Sequence, residues 1–244
     1  MKIAIGSWGY RKWFDEGRCD FAGFLDEVKA IGAEGVEIFP HHIARTNTAQ
    51  ALADARAACD ARGLGISTLI CGNDFAQPAI ADRAAHVAAM IRDIEEATGV
   101  GIQALNVFTG YHRPGADPEM EVARVVDCFR EVAPAAEAKH VTLCLENHSS
   151  VHPDADGLVW LLRAVGSPAL RMNPDPSNFL QAFTDLPAAA RECIYTETAK
   201  IAPLMANAHL KIRDFTPAGD HAHLDVRRIL GLFRKAGYDG WIVL

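Results

Sequence analysis

Eight short apolar runs, rich in β-branched residues, constrain the fold of this chain more than any other feature of its sequence. Each run is apolar at successive positions, as strands need to be when helices cover both faces of their sheet. A strand with one face in water would alternate between apolar and polar residues. The runs occupy residues 2–6, 35–39, 65–71, 103–108, 141–146, 170–173, 208–212 and 241–244. They predict a buried parallel sheet.

The segments between these runs have helical periodicity. In one of them the apolar residues recur at spacings of three and four, as one face of an amphipathic helix requires: Leu158, Leu161, Leu162 and Val165. Eight strand–helix units are typical of a (β/α)₈ TIM barrel, whereas a doubly wound sheet has fewer strands and a glycine-rich first turn. We therefore predict one α/β TIM-barrel domain over residues 1–244, with the chain ending within the eighth strand.

Charge and cysteine content narrow the class of protein. A formal net charge of −7 opposes binding to a phosphate backbone, and no basic patch offsets it, so we expect no nucleic-acid partner. The six cysteines are scattered, without a CxxC pair, as in proteins of reducing compartments. The amino-terminal segment is too short and too charged for a signal peptide or a membrane span. We expect a cytoplasmic protein with no membrane partner, and homo-oligomer formation stays open.

Potential metal ligands follow three consecutive predicted strands. Glu146 ends the fifth run, Asp175 follows the sixth, and His209 lies in the seventh. Because the carboxyl ends of barrel strands meet at one face, these side chains are expected to lie together. Two carboxylates and one imidazole suit Mn²⁺, Mg²⁺, Co²⁺ or Zn²⁺. Taken singly, each has an ordinary alternative: an ion pair for Glu146, a turn for Asp175, and a hydrogen-bonded core histidine for His209.

The segments around these residues resemble those of the xylose isomerase-like barrels. That family includes keto-sugar epimerases, hydroxypyruvate isomerase, inosose dehydratase and apurinic endonucleases. The resemblance extends from the first strand to the end of the chain. It is carried by the segments GVEIF, LENHSS, NPDPSNF, HLKIRDF and GYDGWIVL, in that order.

The resemblance implies that Glu146, Asp175 and His209 are three of four ligands to one divalent metal. The fourth ligand in the family is a glutamate directly after a segment like GYDGWIVL, where this sequence ends at Leu244. Either the chain is a fragment or its site lacks that ligand. The implied reaction is proton transfer beside a carbonyl, with a metal-stabilised enediolate and with Glu146 as one of two catalytic acid–base groups.

Further residues are candidates for contact with substrate. Glu37, at the end of the second run, is predicted to accept hydrogen bonds from sugar hydroxyls or to form a salt bridge in the barrel mouth. Lys211 is expected to balance the carboxylates or to bind a substrate oxygen. Trp8 suits stacking on a sugar face or packing at the rim, and His148 lies on a strand-end loop. Asn178 stands where multi-zinc endonucleases and some sugar epimerases have histidine, so it indicates an altered substrate contact.

The leading hypothesis is thus a metal-dependent isomerase or epimerase of a small sugar or polyol-derived ketose. A dehydratase of a keto-inositol-like compound shares its first steps and remains an alternative, as does a non-catalytic sugar-binding barrel. An apurinic endonuclease is disfavoured by the acidic charge and by Asn178. His221 and His223 resemble the segment that supplies additional zinc ligands in endonucleases, but they do not outweigh these two features.

Overall fold

A computed structural model describes residues 1–43, 48–148, 150–152, 154–181, 186–212 and 214–244. Ser149 and Arg213, which belong to two of the motifs above, lie outside the described residues. Eight parallel strands form one sheet in the order β6-β5-β4-β3-β2-β1-β8-β7. They are β1 (Lys2–Gly6), β2 (Gly35–Ile38), β3 (Gly65–Ile70), β4 (Ala104–Val107), β5 (Thr142–Glu146), β6 (Leu170–Asn173), β7 (Ala208–His209) and β8 (Trp241–Val243).

Helices surround the sheet. A short helix, α1 (Arg11–Asp15), lies between β1 and the first long helix. The long helices are α2 (Phe21–Ala30), α3 (Thr48–Asp60), α4 (Ile80–Gly99), α5 (Pro118–Lys139), α6 (Ala155–Val165), α7 (Ala188–Ile201) and α8 (Val226–Lys235). None of these helices, as far as the chain is described, is long and apolar enough to cross a membrane.

The sheet curls into a nearly closed barrel, which confirms the predicted TIM-barrel fold. The edge strand β6 meets the segment just before β7 through a parallel bridge between Met172 and Met205. Beside it, the His209 amide donates to the Pro174 carbonyl at 2.9 Å. At the other end of the chain, Leu244 N donates to Ala4 O at 2.9 Å, so hydrogen bonding to β1 continues to the last residue.

The seventh strand is shorter than predicted. The apolar run indicated a strand over residues 208–212, but β7 spans Ala208–His209 only. The reason is that the Lys211 carbonyl is engaged by side chains: Ser177 Oγ donates to it at 3.0 Å, and His221 Nε2 lies 3.2 Å away. Leu210 N still donates to Val243 O at 2.9 Å, and the chain leaves the ladder after this bond, so Lys211 stands on a loop.

The helices pack as their sequence periodicity predicts. In α6 the predicted apolar face is buried against the barrel. Asp154 caps the helix by accepting the Gly157 amide at 2.8 Å, and Gly166 ends it with a φ of 76°. Burying each leucine side chain of this apolar face contributes about 1.5–3 kcal/mol to the free energy of unfolding. Such contacts build the core between the helices and the sheet.

Candidate active site

Three acidic or imidazole side chains converge at the carboxyl ends of β5, β6 and β7. Glu146 is the last residue of β5, Asp175 follows β6 by two residues, and His209 is the last residue of β7. All three are buried, and one ligand atom from each lies within 4.8 Å of the others. Neighbouring parallel strands bring these side chains together because their carboxyl ends share one face of the barrel.

Glu146 is surrounded by hydrogen-bond donors on both carboxylate oxygens. Oε1 accepts from Lys211 Nζ at 2.8 Å and from Asn178 Nδ2 at 3.0 Å. Oε2 accepts from Asn106 Nδ2 at 3.0 Å and lies 3.2 Å from His209 Nδ1. A carboxylate offers about four lone-pair positions, so the surroundings of Glu146 match its ionised form.

Asp175 is held by the turn in which it lies. Its amide donates to Asn147 Oδ1 at 2.8 Å, and its Oδ1 accepts the Ser177 amide at 3.0 Å. The other oxygen, Oδ2, is buried and accepts no hydrogen bond from the described residues, although Lys211 Nζ lies 2.9 Å away as an ion-pair partner. The turn thus leaves one carboxylate oxygen directed into the cluster.

His209 is oriented by a carboxylate from the opposite side of the barrel. Its Nε2 lies 2.8 Å from Glu37 Oε2, while its Nδ1 faces Glu146. Thr68 Oγ1 donates to the same Glu37 oxygen at 2.5 Å. Glu37 is only 2 % exposed, so its carboxylate contacts His209 and Thr68 from within the barrel. This contact is the salt bridge that was one of the two alternatives for Glu37, and contact with substrate stays a prediction.

The buried charges shift one another's pKa values. Burial raises the pKa of Glu146, but the charges of His209 and Lys211 outweigh burial and bring it well below the ordinary value. Burial lowers the pKa of His209, and Glu37 and Glu146 overcome this and raise it well above its usual range. For Lys211, burial is likewise outweighed by Asp175 and Glu146, which raise its pKa. The cluster therefore alternates acids with cations.

The donor set fits a divalent cation. Two carboxylates and an imidazole are common ligands of Mn²⁺, Co²⁺ and Zn²⁺, and Asp175 Oδ2 is a buried oxygen without a hydrogen bond. The Glu37 carboxylate opposite His209 Nε2 matches the arrangement in which a metal-binding histidine donates its second ring N–H to a carboxylate. A metal bound at Nδ1 would replace the proton that His209 carries there.

The remaining predicted residues lie at different depths. Asn178 and Lys211 belong to the cluster, and Lys211 Nζ also donates to Asn178 Oδ1 at 3.1 Å. His148 is partly buried, its ring centroid 5.8 Å from that of Phe108, and burial lowers its pKa. Trp8 stands at the rim with 49 % of its surface exposed, in edge contact with Phe39.

His221 and His223 do not form a metal cluster in the described part of the chain. His223 Nε2 lies 3.3 Å from Asp214, and His221 Nδ1 accepts the amides of His223 and Leu224. The single group of metal-ligating side chains found among the described residues is Glu146, Asp175 and His209. These contacts indicate that His221 and His223 order the loop after β7.

Two participants were missed from the sequence, Thr68 and Asn106. Both lie inside apolar runs, where a single polar residue gives little sign of its partner. Their inward direction was the available signal, since β3 and β4 place them on the barrel interior beside β2 and β5. The register pairs Thr68 with Glu37, whereas Asn106 pairs with Cys144 and is shown to reach Glu146 only by its side-chain hydrogen bond.

Comparison with known proteins places this geometry in context. A family model described as xylose isomerase-like TIM barrel matches residues 25–244. No sequence match to a curated protein is found.

Several solved structures share the fold. One is a D-psicose 3-epimerase determined in the presence of D-fructose, with a TM-score of 0.78 and 19 % identity over 100 % of this chain and 84 % of that one. Another is a D-psicose 3-epimerase with D-tagatose from Clostridium cellulolyticum H10, with a TM-score of 0.79 and 16 % identity over 100 % and 84 %. A third is the apo form of a 3-keto-D-glucoside 4-epimerase from E. coli, with a TM-score of 0.77 and 16 % identity over 100 % and 90 %.

Proposed function

Because the chain belongs to the xylose isomerase-like TIM barrel family, we propose that it is a divalent-metal-dependent epimerase or isomerase of a small sugar or polyol-derived ketose. The observation that carries the proposal is the buried cluster of Glu146, Asp175 and His209, whose ligand atoms lie within 4.8 Å of one another. We further propose that residues 1–244 form one barrel domain, and that its six free thiols suit the cytoplasm.

Each residue of the cluster has a defined task in this proposal. Asp175 Oδ2, Glu146 and His209 Nδ1 would hold the cation, and Glu37 holds His209 through Nε2. A divalent ion held there would polarise a carbonyl group and stabilise negative charge on its oxygen. Glu146 takes the proton from the carbon beside that carbonyl, the C–H electron pair passes to the carbonyl oxygen, and return of a proton to carbon completes the reaction.

The surroundings of Glu146 suit such a base. Lys211 and His209 keep Glu146 ionised, so it carries no proton at neutral pH, and a substrate that takes over the contacts of Lys211 and Asn178 would free Oε1 to accept one. Lys211 and Asn178 bind Oε1, and a substrate hydroxyl that enters the cluster would contact the same two side chains. They are therefore the residues that we assign to substrate oxygen.

The substrate class is supported by the rim and by the comparisons. Exposed Trp8 and partly buried His148 offer ring surfaces beside polar groups, which is how proteins bind the apolar face and hydroxyls of a sugar. The three solved structures described above are sugar epimerases, two of them determined with a ketohexose. A small ketose is the substrate class consistent with both.

The test measures metal content and proton exchange together. Elemental mass spectrometry should find about one Mn, Mg, Co or Zn per chain in the purified protein and loss of it in Asp175→Asn and His209→Ala. The metal-loaded protein, incubated with ketohexoses and ketopentoses in D₂O, should exchange the hydrogen beside the carbonyl, as seen by NMR. Glu146→Gln should abolish that exchange.

Three results would decide against the proposal. A protein that binds no metal after supplementation would exclude metal dependence. A metal-loaded protein that binds ketoses without exchange would be a sugar-binding barrel. A product lighter by one water would instead identify a dehydratase.

A further inference from the structure

Three buried asparagines lie in a row beneath the cluster, and we propose that their carboxamides form a directional hydrogen-bonded chain that positions Glu146. They come from β4, from β6 and from the residue before β7: Asn106, Asn173 and Asn207. The inference rests on the proposed function for the role of Glu146, while the existence of the chain does not depend on it.

The contacts run without a break from Asn207 to Glu146. Asn207 Nδ2 donates to Asn173 Oδ1 at 3.2 Å, and Asn173 Nδ2 donates to Asn106 Oδ1 at 3.1 Å. Asn106 Nδ2 then donates to Glu146 Oε2 at 3.0 Å. Asn106, Asn173 and Asn207 are 0 %, 0 % and 1 % exposed, so the chain is shielded from water.

The direction of the chain follows from its last acceptor. An ionised carboxylate can only accept, so Asn106 must present its NH₂ group to Glu146 and its oxygen to Asn173. The same argument then orients Asn173 and after it Asn207. Consequently Asn207 Oδ1 is left as the free end, and it is buried with no hydrogen-bond partner among the described residues.

Ordinary barrel packing does not account for these residues. Side chains from alternate strands share a layer inside a TIM barrel, and that layer is usually filled by branched apolar residues. Here β4 and β6 contribute Asn106 and Asn173 instead, each of which must be hydrogen bonded to avoid a desolvation cost. Asn173 donates to Asn106, and Asn106 in turn donates to the Glu146 carboxylate.

The chain determines where Glu146 Oε2 lies. Oε2 has one neutral donor, Asn106, and one partner in the metal cluster, His209 Nδ1. If Asn207 loses its amide, the buried Asn173 oxygen is left without its donor, so Asn173 is displaced toward another donor and its hydrogen bond to Asn106 weakens. Asn207 is therefore a positioning residue that acts on Glu146 through two others.

A double-mutant cycle on Mn²⁺ affinity tests this transmission by isothermal titration calorimetry. Asn106→Leu should weaken binding about 10–100-fold, as loss of a contact to a metal ligand does. Asn207→Leu should weaken it by about threefold or more, which is the scale of coupling within one network. The double variant should bind Mn²⁺ as Asn106→Leu alone does, because Asn106→Leu already interrupts the row of asparagine hydrogen bonds.

Two variants control for unrelated structural effects. Asn207→Ala removes the amide without adding bulk, so it should reproduce Asn207→Leu if packing is not the cause. Thr198→Val removes a fully buried hydroxyl that donates to Ile194 O on α7, away from the cluster, and should leave Mn²⁺ affinity unchanged. Wild-type affinity in both Asn207 variants, or multiplicative losses in the double variant, would refute the transmission.

If the protein binds no metal, a second measurement tests the hydrogen-bonded row of asparagines. Glu146→Gln replaces the charged acceptor by a neutral one. In the metal-free protein the side-chain amide NMR signals should then shift most for Asn106, less for Asn173 and least for Asn207. Asn73 is similarly buried but bonds the Phe108 backbone, and its signal should stay in place. Unmoved signals from Asn173 and Asn207 would refute the chain, whereas absence of metal binding alone would refute only the proposed function.

Discussion

At the scale of single residues, the cluster is an arrangement of acids that need cations. Glu37, Glu146 and Asp175 are all nearly inaccessible to water. Their charges are balanced by His209 and Lys211, at distances of 2.8 to 3.2 Å. Removing one partner of a buried pair costs more than the pair contributes, because the other charge is left uncompensated.

Glu37→Gln should weaken Mn²⁺ binding by about 10–100-fold, because His209 loses the carboxylate that holds its Nε2–H. The change keeps the size of the side chain, so little repacking is expected. Calorimetric titration measures the affinity. Glu34→Gln, at an exposed position directly before β2, is the matched control and should bind as the wild type does. Unaltered affinity in Glu37→Gln would contradict an orienting role.

Lys211→Met should lower the free energy of unfolding of the metal-free protein by roughly 3 kcal/mol, since Glu146 and Asp175 lose their shared ammonium. Added Mn²⁺ should recover more thermal stability in this variant than in the wild type, because the incoming cation replaces the lost charge. Denaturant unfolding with and without Mn²⁺ measures both effects. Lys235→Met, exposed on α8, should show neither. Equal stability of the two variants would argue against Lys211 as the counter-charge.

At the scale of elements, the strands carry the site at one end and close the barrel at the other. The closed end depends on two glycines, Gly35 of β2 and Gly65 of β3, under the ring of Trp241 in β8. A Cβ atom on Gly65 would lie 2.8 Å from Trp241 Cζ2, and one on Gly35 would lie 2.6 Å from the Gly65 carbonyl oxygen. Absence of side chains there lets the tryptophan fill the bottom of the barrel.

Gly65→Ala should therefore destabilise the protein by about 1–3 kcal/mol through overpacking against Trp241. Gly99→Ala is the control. Gly99 lies at the end of α4 with open space where a Cβ atom would be, and alanine there should raise the free energy of unfolding by about 0.5–1 kcal/mol. Chemical denaturation measures both. If steric conflict is the cause, Gly65→Ala combined with Trp241→Leu should cost less than the sum of the single changes.

At the scale of the whole molecule, the barrel gathers groups that are distant in the chain and buries several titratable ones. Glu37 and His209 are separated by 172 positions, yet they form one contact. Elsewhere burial is the main cause that lowers the pKa values of His42, His152 and His221 below the ordinary value. These histidines make the stability of the fold depend on pH.

Stability should fall as the pH drops below about 6.5, the pKa of an unfolded histidine, because the unfolded chain then binds protons that the folded one does not. His209 has the opposite sign: its raised pKa gives a contribution that is fully present below that pH and is lost only as the pH rises through its folded pKa. It therefore does not mask the loss on the acid side.

Melting temperatures at pH 7.0 and 5.5 measure this effect. His42→Gln should show a smaller difference in melting temperature between the two pH values than the wild type. The His42 ring stacks on Phe14 with centroids 4.3 Å apart. Burial is the main cause of its lowered pKa, followed by the charges of His41 and Asp15. His86→Gln, half-exposed on α4, serves as the control and should keep the wild-type difference. An identical pH response in His42→Gln would exclude its contribution.

Much of the fold and part of the site follow from the sequence alone. Apolar runs and helical periodicity were enough to predict eight strands, intervening helices and a TIM barrel, because burial on both faces leaves a pattern in local order. The same logic placed Glu146, Asp175 and His209 at one face, since strand ends in a parallel barrel share a rim.

Tertiary structure decided what local order does not encode. Whether Glu37 faces a sugar or His209, and whether three asparagines in separate strands touch, depends on strand register and barrel closure. Those distances are set by pairing between segments far apart in the chain. A shift of a few tenths of an ångström is enough to make or break a hydrogen bond. The sequence by itself therefore determined the barrel and the strands that carry the ligands, whereas only the closed barrel determined which buried side chain holds which.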